Sequence, residues 1–196
     1  LLASLADSVH SPVYRHCDLT DLDALHSTLR ELEETFGSVE VLINNAANDD
    51  RHLPGELTPE YWEQRMAVNL RHQFFCAQAV SHSMRRAAQG VILNLGSISW
   101  HLALPQLSLY MTAKAAIEGM TRGLARDFGD VGIRVNCIVP GAVRTERQMK
   151  LWQSPDSEAK LIAAQCLQLR IEPEHVASMA LFLASDDAAR CSGREY

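Results

Sequence analysis

The sequence predicts an α/β fold built on a parallel sheet with helices on both faces. Three observations carry that expectation. Residues 39–43, 91–95 and 133–139 are largely apolar runs of strand length, and the nearly continuous apolar character of 91–95 suits a strand of a sheet buried on both sides. Longer stretches with helical periodicity separate these runs. Short clusters rich in Gly, Asn and Ser follow the runs (Asn44-Asn45-Ala46-Ala47, Gly96-Ser97, Pro140-Gly141), at the carboxyl ends where open α/β sheets bind ligands.

Composition bounds the rest. The chain has 196 residues, 47% hydrophobic and 21% charged, which suits one domain over residues 1–196 with a sizeable core. A net charge of −6 offers no electrostatic footprint for nucleic acid or an anionic membrane. No apolar run approaches the ~20 residues of a membrane-spanning helix, and LLASLADS lacks the pattern of a signal peptide. Five scattered Cys without a Cys-x-x-Cys pair fit reduced thiols in a cytoplasm. The eight His show no metal-ligand spacing, so no metal site is expected.

In chain order, residues 1–8 read as the end of a helix and 13–17 as a short strand. Asp18, Leu19 and Thr20 follow, and Asp18 is open to two readings, ligand contact or helix start, the latter served equally by Thr20 or Asp21. Residues 20–36 form a helix with Leu22, Leu25, Leu29 and Leu32 as its apolar stripe, closed by Gly37. Residues 39–43 are a buried strand ending in Asn44 and Asn45, whose amides can tie neighbouring strand ends together. Asn48-Asp49-Asp50-Arg51-His52 reads as a polar loop at the mouth of the sheet, either a solvated turn or a substrate contact through Asn48. Thr58-Pro59-Glu60 opens a helix running to about residue 88, and Asn69 within it is either an exposed or back-bonded residue or a functional one. Met66, Phe74, Phe75 and Val80 are read as core or subunit interface.

Residues 91–95 lead to Ser97. Thirteen positions later Tyr110 opens a helix through residue 128, with Lys114 one turn on and on the same face. A phenol of pKa ~10 is a poor base near neutrality, and a nearby ammonium favours the phenolate. Ser97 would hold a substrate oxygen while Tyr110 takes its proton. Trp100 is either a substrate-facing aromatic wall or core, and His101 is read as structural. Small residues on the Tyr110 helix (Ala113, Ala115, Ala116, Gly119, Gly123) permit close approach of another helix. After the strand at 133–139 comes the Pro140-to-Thr145 turn. Residues 173–184 form a capped helix with Val176, Met179, Ala180 and Leu183 inward.

LINNAA at 42–47, Asn69 in MAVNL, Ser97, Tyr110-x-x-x-Lys114 and Pro140-Gly141 in RVNCIVPGAVRT occur in one order that resembles the short-chain dehydrogenase/reductase family. NNAANDDRH, NLRHQFFCAQAV, GSISWHL, AAQCLQLRI and CSGREY bring it near the bacterial NAD-dependent sugar 1-dehydrogenases, those acting on D-xylose among them. The resemblance implies a Rossmann-type doubly wound sheet and oxidation of a cyclic aldose at its anomeric carbon to a lactone. It implies a catalytic set of Asn69, Ser97, Tyr110 and Lys114, in which Asn69 holds a water contacting the lysine. NAD or NADP, with NAD favoured, would meet Asp18 at the adenine amino group and Leu19 beside it. It would also meet Asn45, Ala46 and Ala47 at the ribose, Tyr110 and Lys114, and Pro140, Gly141, Val143 and Thr145 at the carboxamide. Asn44 would be mainly structural, and Ala47 stands where Gly is commoner. The substrate would meet Asn48, Ser97, Ser99, Trp100 and Tyr110. The resemblance also implies a mobile substrate lid over residues 146–168, on which Met149, Trp152 or Gln165 could close on substrate. The helices carrying Asn69 and Tyr110 would pack across a homo-oligomer interface, in a dimer or tetramer.

No Gly-rich phosphate loop lies in the 196 residues. The resemblance places it, with the strand that selects NAD or NADP, before Leu1, and the closing strand just past Tyr196. The expectation is a fragment or a truncated product lacking its first βαβ portion and last strand, unstable or inactive alone. Three functional readings stand: a sugar 1-dehydrogenase; another short-chain reductase of ketones, steroids or acyl thioesters; and a truncated, non-catalytic interaction subunit.

Overall fold

The computed structural model describes residues 12–151 and 154–196. Three parallel strands, β1 (Val41–Asn44), β2 (Gly90–Leu95) and β3 (Ile133–Ile138), lie side by side in that order. All six residues of β2 are buried, as its largely apolar run requires. Its side chains alternate between two layers. Ile92, with Ile133 and Val135, packs against Ala77, Val80 and Met84 of α3 (His72–Ala87) and Leu124 and Phe128 of α4 (Ser108–Phe128). Leu29 of α1 (Leu22–Phe36) joins that layer. Val91, Leu93, Leu95 and Ile138 pack on the other face against Leu183 of α7 (Pro173–Ala184) and Ala188. Helices therefore cover both faces of a parallel sheet, the doubly wound arrangement the sequence predicts.

Local chemistry sets the element ends. Asp21 caps α1 by accepting from the Asp23 and Ala24 amides, and Thr58 caps α2 (Pro59–Met66) through the Tyr61 amide. Ala88, left-handed at φ 52°, closes α3.

Three expectations need correction. Residues 13–17 belong to no strand, because no described backbone forms a ladder with them. β1 is not buried throughout: Val41 is 39% and Ile43 48% exposed, since β1 has a described neighbour on one side only. Met179 of α7 is exposed, while Val176, Ala180 and Leu183 pack inward. Beside β3 the described residues 194–196 form an isolated bridge and no further strand: Cys137 N–H donates to Arg194 O, Tyr196 N–H to Cys137 O and Val139 N–H to Tyr196 O. The helix end at residues 1–8 and the lid residue Trp152 lie outside the described residues.

Candidate active site

The carboxyl ends of the strands are tied together by amides. Asn44 at the end of β1 donates through Nδ2 to Asn94 Oδ1 on β2 (2.9 Å) and to Gln73 O (3.2 Å); Asn94 Nδ2 donates to Thr121 Oγ1 of α4 (3.0 Å). All three side chains are buried, and each bond satisfies a polar group that burial would otherwise strand. The structural reading of Asn44 holds. At Gly96 the chain leaves β2 so close to β3 that a Cβ there would sit 2.9 Å from Cys137 Sγ, which reserves the position for glycine.

The long helix expected over residues 58–88 is interrupted at Asn69. A π-helical segment, Ala67–Arg71, joins α2 to α3, a local widening frequent at functional sites. Asn69 is neither exposed nor back-bonded to its own helix. Its buried amide clasps the backbone of Asn48: Asn48 N–H donates to Asn69 Oδ1 (2.7 Å) and Asn69 Nδ2 donates to Asn48 O (3.0 Å). Arg65 Nη2, one turn earlier, donates to the same carbonyl (3.0 Å).

Ser97, Tyr110 and Lys114 meet at the carboxyl end of β2. The Ser97 hydroxyl lies where it favours the Tyr110 phenolate, and it donates to Ser99 Oγ (2.9 Å). Lys114 is 2% exposed; its ammonium donates to Leu95 O (2.6 Å) and lies 5.5 Å from the centre of the Tyr110 ring. The expected electrostatics are corrected here. Burial pushes the Tyr110 phenol above its ordinary value, the Ser97 hydroxyl opposes that, and the Asp49 charge adds to it. The ammonium does not offset this. It is turned to the end of β2, and burial lowers its own pKa to about 8.

The residues expected around a dinucleotide are spread along the same edge. Asn45, Ala46 and Ala47 are exposed past β1, leaving backbone open where a ligand can approach. Asp18 is exposed, and its carboxylate is held below the usual range by the Thr20 backbone and hydroxyl bonds (2.8 and 2.7 Å); Leu19 is half-buried beside it. The cap of α1 is Asp21, so Asp18 is not needed for that role. Arg71 Nη2 fixes this turn by donating to Thr20 O (2.6 Å). In the Pro140-to-Thr145 turn, Ile98 N–H donates to Pro140 O, and Val143 N–H is engaged by Gly141 O. Thr145 Oγ1 accepts from Gln148 N (3.2 Å), so it also supports the start of α5 (Glu146–Leu151), while its hydroxyl proton can still donate.

On the substrate side, Asn48 Oδ1 accepts from Asp50 N (2.9 Å). Ser99 is buried behind Ser97. The Trp100 indole donates to Glu118 Oε1 (2.7 Å), and its ring lies 3.8 Å from the His101 ring. The structure adds residues the sequence reading passed over. Glu118, two turns past Tyr110 and one past Lys114, is buried on α4 and anchors Trp100; that i, i+4, i+8 spacing was a visible signal. Arg147 and Gln148 of α5 reach across to Asp49 and Asp50, a pairing over nearly 100 positions that no local pattern announces.

A family model described as enoyl-(acyl carrier protein) reductase matches residues 1–196. D-xylose 1-dehydrogenase of Caulobacter vibrioides (strain NA1000 / CB15N) is 55% identical over 196 residues, covering 100% of this chain and 77% of that protein. The protein named "Probable galactose dehydrogenase GalD" of Rhizobium meliloti (strain 1021) is 41% identical over 184 residues, 94% of this chain and 72% of its own. A crystal structure assigned to the short-chain alcohol dehydrogenases, from Sinorhizobium meliloti 1021, superposes with a TM-score of 0.91 at 28% identity, covering 98% of this chain and 77% of that one. With the parallel sheet and the Ser97, Tyr110 and Lys114 cluster at its carboxyl edge, these matches establish that the chain belongs to the short-chain dehydrogenase/reductase family of NAD(P)-dependent oxidoreductases.

Proposed function

We propose that the protein oxidises an aldose at its anomeric carbon to the lactone with NAD. The observation that carries this reading is the meeting of Ser97, Tyr110 and Lys114 at the end of β2. The 55% identity to a D-xylose 1-dehydrogenase supports an aldose as the substrate, and the preference for NAD follows the sequence resemblance. In this reading the anomeric hydroxyl bonds to Ser97 and Tyr110, and Tyr110 removes its proton. The nicotinamide, when bound, supplies the acceptor for the anomeric hydride. Tyr110 takes the proton as the phenolate, becomes the phenol and passes the proton to water in a relay beside Lys114, and Asn69 holds the π-turn and the Asn48 backbone so that this end of the site keeps its shape. Asp18, Leu19, Asn45, Ala46, Ala47, Gly141 and Thr145 line the cofactor side. Ser99, Asn48 and Trp100 support the substrate side through Ser97, Asp50 and Glu118.

The oligomer is assigned to the helices carrying Asn69 and Tyr110. Met66, Leu70, Phe74, Phe75, Ala116 and Met120 form an apolar depression there, and nothing lies within 4 Å of a Cβ placed at Gly119 or Gly123. An apolar face of this kind is what an interface between copies requires. Five free thiols favour a reducing, cytoplasmic setting. Among the described residues, no helix is long and apolar enough to cross a membrane.

The test is turnover of D-xylose, L-arabinose, D-glucose and D-galactose with NAD and with NADP. Reduction of NAD with at least one aldose, abolished in Tyr110→Phe, is the expected result. Turnover of ketones or acyl thioesters in place of aldoses would overturn the substrate assignment.

A further inference from the structure

We propose that Asp49 is a specificity-determining residue whose carboxylate, aimed by Arg147 and Gln148 of α5, accepts a hydroxyl of the substrate. The inference rests on the aldose reading and adds the group that recognises the ring beyond its anomeric carbon.

The loop leaving β1 is pinned on either side of Asp49. Before it, Asn69 and Arg65 hold the Asn48 backbone. After it, His52 is fixed to the start of the Tyr110 helix: Leu109 N–H donates to His52 Nε2 (3.3 Å), which also lies 3.0 Å from Ser108 Oγ. Asp49 therefore has little freedom to swing. Its side chain is 17% exposed against 48% for the neighbouring Asp50.

Its partners come from the lid. Arg147 donates to Oδ1 through Nε and Nη2 (both 3.3 Å), and Gln148 Nε2 donates to Oδ2 (2.8 Å). A carboxylate offers about four acceptor positions. Three are taken, and the one left is on Oδ2. A substrate hydroxyl is the donor that fills it without adding charge. A sugar acid or phosphate would meet the like charges of Asp49 and Asp50 and be repelled. The site is also near the chemistry, since His52 of the same loop is bonded to Ser108 and Leu109, the residues just before Tyr110, and the Asp49 charge works to raise the Tyr110 phenol. Arg147 offsets that charge when the lid is down, and a hydroxyl bonded to Oδ2 disperses it further.

The experiment compares kcat/KM for an aldose and its single-deoxy analogues, using the enzyme expressed from its complete reading frame, as wild type, Asp49→Ala and Asp49→Asn. One charged hydrogen bond to a hydroxyl discriminates by about 10- to 100-fold. The wild type is expected to lose that factor on one deoxy analogue, and Asp49→Ala to treat the parent and that analogue within about threefold. Asp49→Asn, nearly isosteric, is expected to shrink the ratio even if the alanine variant folds poorly. Arg147→Met is expected to raise KM for the parent sugar and leave KM for the deoxy analogue nearly unchanged. Full discrimination retained in both Asp49 variants would overturn the assignment of Asp49 while leaving the aldose reading intact. Turnover of a non-sugar alcohol with no aldose turnover in the wild type would overturn the aldose reading, and the role of Asp49 with it.

Discussion

At the scale of single residues, Tyr110 and Lys114 are set against their surroundings. Burial raises the phenol and lowers the ammonium to about 8, so each disfavours its charged form in the ligand-free chain. Oxidation should therefore rise with pH above neutrality. Since the Ser97 hydroxyl is what lowers the phenol, Ser97→Ala should move that rise to higher pH as well as slow the reaction, by about 10²- to 10⁴-fold if a general-base contact is lost. A pH profile of kcat/KM checks both. Lys114 has a second signature. The unfolded lysine keeps its proton to about pH 10.4, while the folded one loses it near 8. Relative stability contributed by this group is thus lowest below pH 8 and recovers as pH rises through that window. Lys114→Met should be more stable than wild type at pH 7 by about 1–3 kcal/mol, with the gap closing toward pH 10, and inactive; urea melts at several pH values measure it.

Elements show why some of this was legible in the sequence and some was not. The largely apolar run of β2 and the spacing of Tyr110 to Lys114 are one-dimensional signals of burial and of a shared helix face, and both survive in the structure. Thr58 was readable as a cap because capping is local, while for α1 the sequence left Asp18, Thr20 and Asp21 open and the structure shows Asp21. Asn69 was readable as an anomaly only. What it does depends on a π-turn and on a loop 21 residues away, and neither leaves a period in the sequence. Residues 13–17 and Val41 misled for the converse reason: apolar strand composition specifies a strand only where a neighbouring backbone is present to pair with it. The clasp gives a test at this scale. Asn69→Ala removes two bonds to the Asn48 backbone and leaves the Asn48 N–H without its partner while Arg65 still holds the carbonyl, at a cost of about 1–3 kcal/mol in chemical denaturation, with activity falling because the loop carrying Asp49 loosens. Unchanged stability in that variant would mean that Arg65 alone holds the loop.

For the whole molecule, two edges organise the architecture. The carboxyl edge of the sheet gathers the Asn44–Asn94–Thr121 ties, the Ser97–Tyr110–Lys114 cluster and the α5 contacts to Asp49. The apolar face of α3 and α4 is the other. Phe74→Glu places a charge in its centre, and sedimentation velocity should show that variant shifted to a smaller species; an unchanged sedimentation coefficient would place the interface elsewhere. The central claim is that hydride leaves the anomeric carbon of an aldose in a step that needs Tyr110. The most direct measurement is turnover of C1-deuterated xylose with NAD, followed by mass analysis of the reduced cofactor. One deuterium per NADH formed, with no NADH in Tyr110→Phe, is the expected result. NADH without deuterium, or full activity in Tyr110→Phe, would contradict it.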